Sequence, residues 1–174
     1  MRLHQLKVEY VAAEDRLLVR ISTSSNEEVM LWLTRRAALR LWPVLLSMAQ
    51  AKPEIVTQPS PEARRALVGF EHEKAVAKAD FSKPYEQQPE RARPLGEAPI
   101  LVGRIEPRRD PEGRPVLGLL PAQGQGIFIT LDDRLLHGFM RLLQNAVARA
   151  EWGFKLAVPG AEAVAADAAP KTIN

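Results

Sequence analysis

The chain has 174 residues, 46% of them apolar and 26% charged, and a net charge of +3. Such a composition marks a globular protein with a sizeable core, arranged as one domain or two closely packed repeats. With no cysteine, disulfides, thiolate metal sites and thiol nucleophiles are excluded, and a reducing compartment is compatible with the chain.

No stretch approaches ~20 uninterrupted apolar residues, and Met1 to Lys7 lacks the apolar run of a signal peptide. The expectation is a soluble, cytoplasmic protein without a membrane partner. Its charge is uneven. Residues 1–52 carry eight Lys or Arg against five Asp or Glu, residues 53–97 seven against eight, and residues 98–154 seven against six. The excess near the N-terminus permits an anionic partner, although +3 on a chain of this size is a weak electrostatic signal.

Residues 3–11 alternate with Leu6, Val8 and Tyr10 on one face, and Ala13-Glu14-Asp15 supplies a turn. Leu17, Val19 and Ile21 make a second strand, Ser24-Ser25-Asn26 a second turn, and residues 28–33 a third strand, giving an antiparallel meander. Thr34 caps a helix over 35–51, with Ala38, Leu41, Trp42 and Leu45 on one face. Pro43 sits inside that pattern and predicts a kink or a later helix start.

Between residues 53 and 97 lies a charged, Pro-rich insert. Ser60-Pro61-Glu62 opens a short helix there, and residues 79–97 read as loop whose Phe81 and Tyr85 dock on the protein or on a partner. Beyond it, Ile100 to Ile105 and Val116 to Leu120 form strands around a turn at Asp110-Pro111-Glu112-Gly113. Gln123-Gly124-Gln125-Gly126 is a flexible connection to a third strand at 127–131. Asp132 caps an amphipathic helix from Asp133 to about Trp152, with Leu136, Phe139, Met140 and Leu143 on one face. The Ala-rich segment 155–174 has no apolar stripe sufficient to offset ordering entropy and is expected to be mobile.

The same strand-to-helix run thus occurs twice. Val29, Leu31 and Leu33 correspond to Ile127, Ile129 and Leu131, 98 positions later, and the period switches from two to 3.6 at the same place in both. The predicted fold is α+β, with duplicated β-β-β-α units at 1–52 and 98–154, antiparallel sheets each covered by a helix, and a pseudo-two-fold.

The chemistry-bearing motifs are few. His4, His72 and His137 fall in three different predicted elements, with no helical i, i+4 metal pair, so neither a metal nor a cofactor is expected. There is no nucleophile elbow, phosphate loop or dinucleotide fingerprint. Gly124-Gln125-Gly126 is a turn signal, and Asp132-Asp133 is explained by helix capping more readily than by acid–base chemistry. No catalytic residue is assigned and the chain reads as a non-enzyme.

The outer sheet face remains. If helices cover Val29, Leu31 and Leu33, then Met30 and Trp32 point outward, with Lys7 on the first strand and Arg16, Leu18 and Arg20 on the second. Phe128 and Thr130 are the corresponding outward positions downstream. Bases could stack on the aromatic rings while cations meet phosphates. Alternatively the second repeat, the insert or another subunit covers this face, since Trp is usually largely buried. Arg36 and Arg40, one helical turn apart, and Arg108-Arg109 at the hairpin read as phosphate contacts or, more commonly for such residues, as solvated charges.

Gly126-Ile127-Phe128-Ile129-Thr130-Leu131-Asp132 entering an amphipathic helix resembles the strand-to-helix end of the single-stranded-DNA-binding transcriptional coactivator family. Two such units also resemble the PUR and Whirly arrangements. The resemblance covers roughly residues 3–51 and 99–152, with three strands per unit in place of those families' four. It implies a pseudo-dimer that binds single-stranded DNA or RNA on its sheets. Two functions follow. One is non-enzymatic nucleic-acid binding through Lys7, Arg16, Arg20, Met30, Trp32 and Phe128. The other is a protein-interaction or assembly module, a homodimer included, that uses the same face as its interface.

Overall fold

The alternating runs of the first third become β1 (Leu3–Val11), β2 (Arg16–Thr23) and β3 (Glu28–Leu33) in a computed structural model that describes residues 2–163 and 170–174. Their inward side chains are fully apolar: Leu6, Val8, Leu17, Val19, Ile21, Val29, Leu31 and Leu33 are all buried. Both turns of the meander need a left-handed residue, Asp15 at φ 49° and Asn26 at φ 60°. These are types whose short polar side chains tolerate that conformation.

Thr34 accepts a hydrogen bond from the Ala37 amide at 3.1 Å and starts α1 (Arg35–Gln50), which runs on through Pro43. The helix is neither started late nor divided. Two helices follow, α2 (Pro53–Val56) and α3 (Pro61–Lys78), the latter capped by Ser60 and longer than the short helix expected.

The strand expected at 100–105 is two strands. β4 (Ile100–Leu101) runs parallel to β3, while β5 (Arg104–Arg109) opens a second sheet with β6 (Pro115–Leu120) and β7 (Ile127–Thr130). The chain changes sheets at Val102-Gly103, where the Val102 amide donates to Trp32 and the Gly103 amide to Leu120. A Cβ at Gly103 would lie 2.8 Å from the Ala122 nitrogen, so the crossing needs glycine. Arg108 and Arg109 consequently belong to β5, ahead of the hairpin turn.

Asp132 caps α4 (Asp133–Ala150) through the Leu135 amide at 2.7 Å, and the helix ends on left-handed Glu151. The segment after it contradicts the expectation of a mobile tail over its described residues. Leu156 and Val158 are buried, and β8 (Thr172–Ile173) pairs with β1 to give the larger sheet the order β4-β3-β2-β1-β8. Ile173 is wholly buried against Gly138 of α4. One apolar residue on a free sheet edge supplies what the missing stripe did not. Residues 164–169 of that segment lie outside the described region.

The architecture is α+β, with two sheets and four helices among the described residues. Its layering departs from a helix over each sheet. α4 follows the smaller sheet in the chain yet packs on β1 and β2 of the larger one, and also on α3 and α1. Buried residues occur all round it, from Leu135 and Phe139 to Gln144 and Asn145. It is the central helix. No helix among the described residues is long and apolar enough to cross a membrane.

Candidate functional site

Strand register places Lys7, Arg16, Arg20, Met30 and Trp32 on one face of the larger sheet, opposite the core. Lys7, Arg20 and Met30 form one cross-strand row, and Leu18, Trp32 and Leu101 the next. The charges in this patch are largely answered within the protein. Lys7 Nζ lies 2.8 Å from Glu9, and Arg20 lies 3.6 Å from Glu28. Arg16 has no ion-pair partner among the described residues.

The insert closes one end of this face. Gln5 donates to the Pro84 carbonyl at 3.1 Å and accepts from the Glu86 amide, while Ala92 bridges to the start of β3. Under this strap, Glu28 is 3% exposed, accepts the Tyr85 hydroxyl at 2.8 Å and pairs with Arg93 at 3.4 Å. Burial pushes the Tyr85 phenol far above its usual range, and the Glu28 hydrogen bond and charge add to the shift. The tyrosine therefore acts as a permanent donor, and the two loop aromatics dock as expected, Tyr85 buried and Phe81 packed against the core. Trp32 and Met30 lie beyond the strap and keep partial exposure.

Phe128 is on the other sheet. Its ring, 37% exposed, lies against Gly118 of β6, where a Cβ would approach within 2.5 Å of the ring, and the Arg108 guanidinium sits 4.3 Å from its centroid. Arg104 and Arg108, with side chains 46% and 58% exposed, both contact Glu106 between them on β5. The small residue at 118 thus leaves a flat platform of ring and guanidinium on a solvent face.

The structure also joins residues that sequence reasoning kept apart. α1 lies beside the free edge of β5, so Arg36 and Arg40 line one cleft with Arg104, and Arg108 and Arg109 line the adjoining one. No local pattern signals this, because helix and strand are more than fifty positions apart. The second convergence is His72 of α3 and His137 of α4. Their Nδ1 atoms are 2.9 Å apart, both rings are almost fully buried, and neither Nε2 has a partner. Burial first, then His137 and Arg141, lowers His72 to about 3; burial first, then Lys52, lowers His137 to about 4. Both imidazoles are neutral. Among the described residues, no group of three His, Asp or Glu side chains is arranged to hold a metal ion.

No known protein family, curated protein or solved structure matches this chain.

Proposed function

We propose that this chain is a non-enzymatic binder of single-stranded DNA or RNA that uses the solvent faces of its sheets. The observation that carries the reading is the Phe128 platform: a partly exposed ring held against Gly118, with the Arg108 guanidinium stacked on it. A base that stacks on this ring–guanidinium surface gains ~1–3 kcal/mol, and Arg104 on the same strand can meet a flanking phosphate. Trp32 and Arg16 extend the reading to the larger sheet, whereas Lys7 and Arg20 contribute less because carboxylates already hold them.

The two β-β-β-α runs, each with a capped helix directly after its third strand, support descent from one duplicated unit. They also support the resemblance to the single-stranded-DNA-binding coactivator, PUR and Whirly arrangements. A cytoplasmic location fits a chain without cysteine. A second reading, an assembly interface on the larger sheet, is favoured by Leu101, 46% exposed beside Trp32.

Fluorescence anisotropy with labelled single-stranded DNA and RNA, at low and physiological salt, tests the first reading. Binding should weaken steeply with salt as counterions cease to drive association. Phe128→Ala should cost about tenfold or more in affinity, and Trp32→Ala should act in the same direction. Absence of binding at low salt by folded, nucleic-acid-free protein removes the reading. Light scattering on the same sample then reports whether the larger sheet pairs two copies.

A further inference from the structure

Between α1 and the open edge of β5 runs a groove formed by two clefts of about 620 and 550 Å³ that share Val44. The two elements advance in the same direction. Arg36 and Arg40 stand opposite Arg104 and Ile105, and Pro43 and Met48 stand opposite Pro107 and Arg109. At ~1.5 Å per helical residue, the stretch from Thr34 to Ala51 is ~25 Å long, enough for an extended segment of roughly seven residues.

Its charge is one-sided. Glu106 is the single acid in the walls, and Arg104 and Arg108 hold it at 3.3 and 2.6 Å. Among the described residues, Arg36, Arg40 and Arg109 have no carboxylate partner. The floor is apolar, made of Val44, Val102 and Ile105, with Met48 and prolines toward the far end. Two facts select among anionic occupants. No aromatic side chain lines either cleft, so a nucleic acid would find phosphate partners there but nothing to stack its bases on. Guanidinium forks match carboxylate and phosphate alike, so the apolar floor, which suits aliphatic side chains, is the second of these facts. Pro107, without an amide hydrogen, interrupts the edge of β5 and disfavours plain strand addition, so side chains rather than a backbone ladder must hold the guest.

We propose that this groove docks an extended acidic segment of a partner protein, with its carboxylates at Arg36, Arg40 and Arg104 and its aliphatic residues over Val44 and Met48. The groove shares Arg104 and Arg108 with the surroundings of Phe128 but not the ring itself, so a variant of the ring separates the two readings.

The test is a titration of the isotope-labelled full chain, followed by amide chemical shifts, with a synthetic peptide of alternating Glu and Asp followed by Leu-Pro-Leu. A glutamine/asparagine version of the peptide and oligothymidylate serve as comparisons. The acidic peptide should shift amides of α1 and β5 saturably at low salt, and the neutral version should not. The exposed pair R36E/R40E should weaken binding at least tenfold, as should S47E midway along the groove. R64E/R65E on α3, the same change in net charge, should leave it within about twofold. Phe128→Ala should not alter peptide binding, which separates this site from the sheet face. The proposal is overturned if the acidic peptide shifts no amides in α1 and β5, or if both double variants weaken it alike. It is equally overturned if oligothymidylate occupies the groove and the peptide cannot displace it.

Discussion

Lowering the pH from 7.5 to 5.0 should weaken the fold through its buried histidine pair. His72 and His137 approach to 2.9 Å between their Nδ1 atoms, which for two neutral rings requires opposite tautomers, one donating and one accepting. Burial takes them to about 3 and about 4 respectively, whereas an unfolded histidine titrates near 6.5. Both native values are depressed, so the unfolded chain binds more protons as the pH falls. The stability held by the neutral pair is complete above about pH 6.5 and is lost below it, down toward the native values. Each ring then costs ~1.4 kcal/mol per pH unit, hence ~2 kcal/mol at pH 5 and roughly 4 kcal/mol for the pair. That is a large part of the ~5–15 kcal/mol that holds a typical domain.

Urea unfolding at pH 7.5, 6.5, 6.0 and 5.0 measures this directly, compared with a double variant in which His72→Gln and His137→Gln remove both titrating rings. The wild-type slope below pH 6.5 should approach ~2.7 kcal/mol per pH unit, and the double variant's should be close to flat until the carboxylates begin to protonate. Equal slopes in the two proteins would mean that the imidazoles take up protons in the native state as easily as in the unfolded one, and the buried pair would then not be the source of the acid sensitivity.

Three further changes test other parts of the structure. Tyr85→Phe leaves Glu28 buried at 3% exposure without its 2.8 Å donor, which should cost ~1–3 kcal/mol in urea unfolding and make residues 79–97 easier to cleave in limited proteolysis. Ile173→Ala opens a cavity under α4 at a wholly buried position and should cost ~2–5 kcal/mol, a loss incompatible with a mobile C-terminus. R36E/R40E relieves repulsion among groove arginines that lack acidic partners. Its melting temperature at low salt should rise by about 1–2 °C, with the gain shrinking in high salt, and a clear fall would contradict the charge assignment.

The elements that sequence reasoning located are those whose evidence is local. Alternation specifies β1, β2 and β3, and Thr34, Ser60 and Asp132 mark helix starts because each cap acts across three residues. Packing at a distance was not legible. His72 and His137 are 65 residues apart, the approach of Arg36 to β5 depends on how two sheets meet at Val102-Gly103, and β8 rests on a single isoleucine at a sheet edge. Candidate site residues show the same division. Period two put Lys7, Arg16, Arg20, Met30 and Trp32 on one face, yet the carboxylates that answer Lys7 and Arg20 include Glu28, whose neighbours Tyr85 and Arg93 come from the insert.

The central place of α4 accounts for where function can reside. Because most of that helix is buried, the surfaces available to ligands include the outer sheet faces and the seam between α1 and β5. Of these, the Gln5, Ser22 and Glu28 end of the larger sheet is sealed by the insert, with its arginines spent on a buried carboxylate. The arginines around β5 are in the opposite state. They crowd one another with a single glutamate to share, an arrangement that raises the energy of the free protein and is relieved when an anion arrives. Replacing Arg36 or Arg40 with an acid would relieve that crowding, so stability alone gives no reason for a cation at either position, and an anionic guest does.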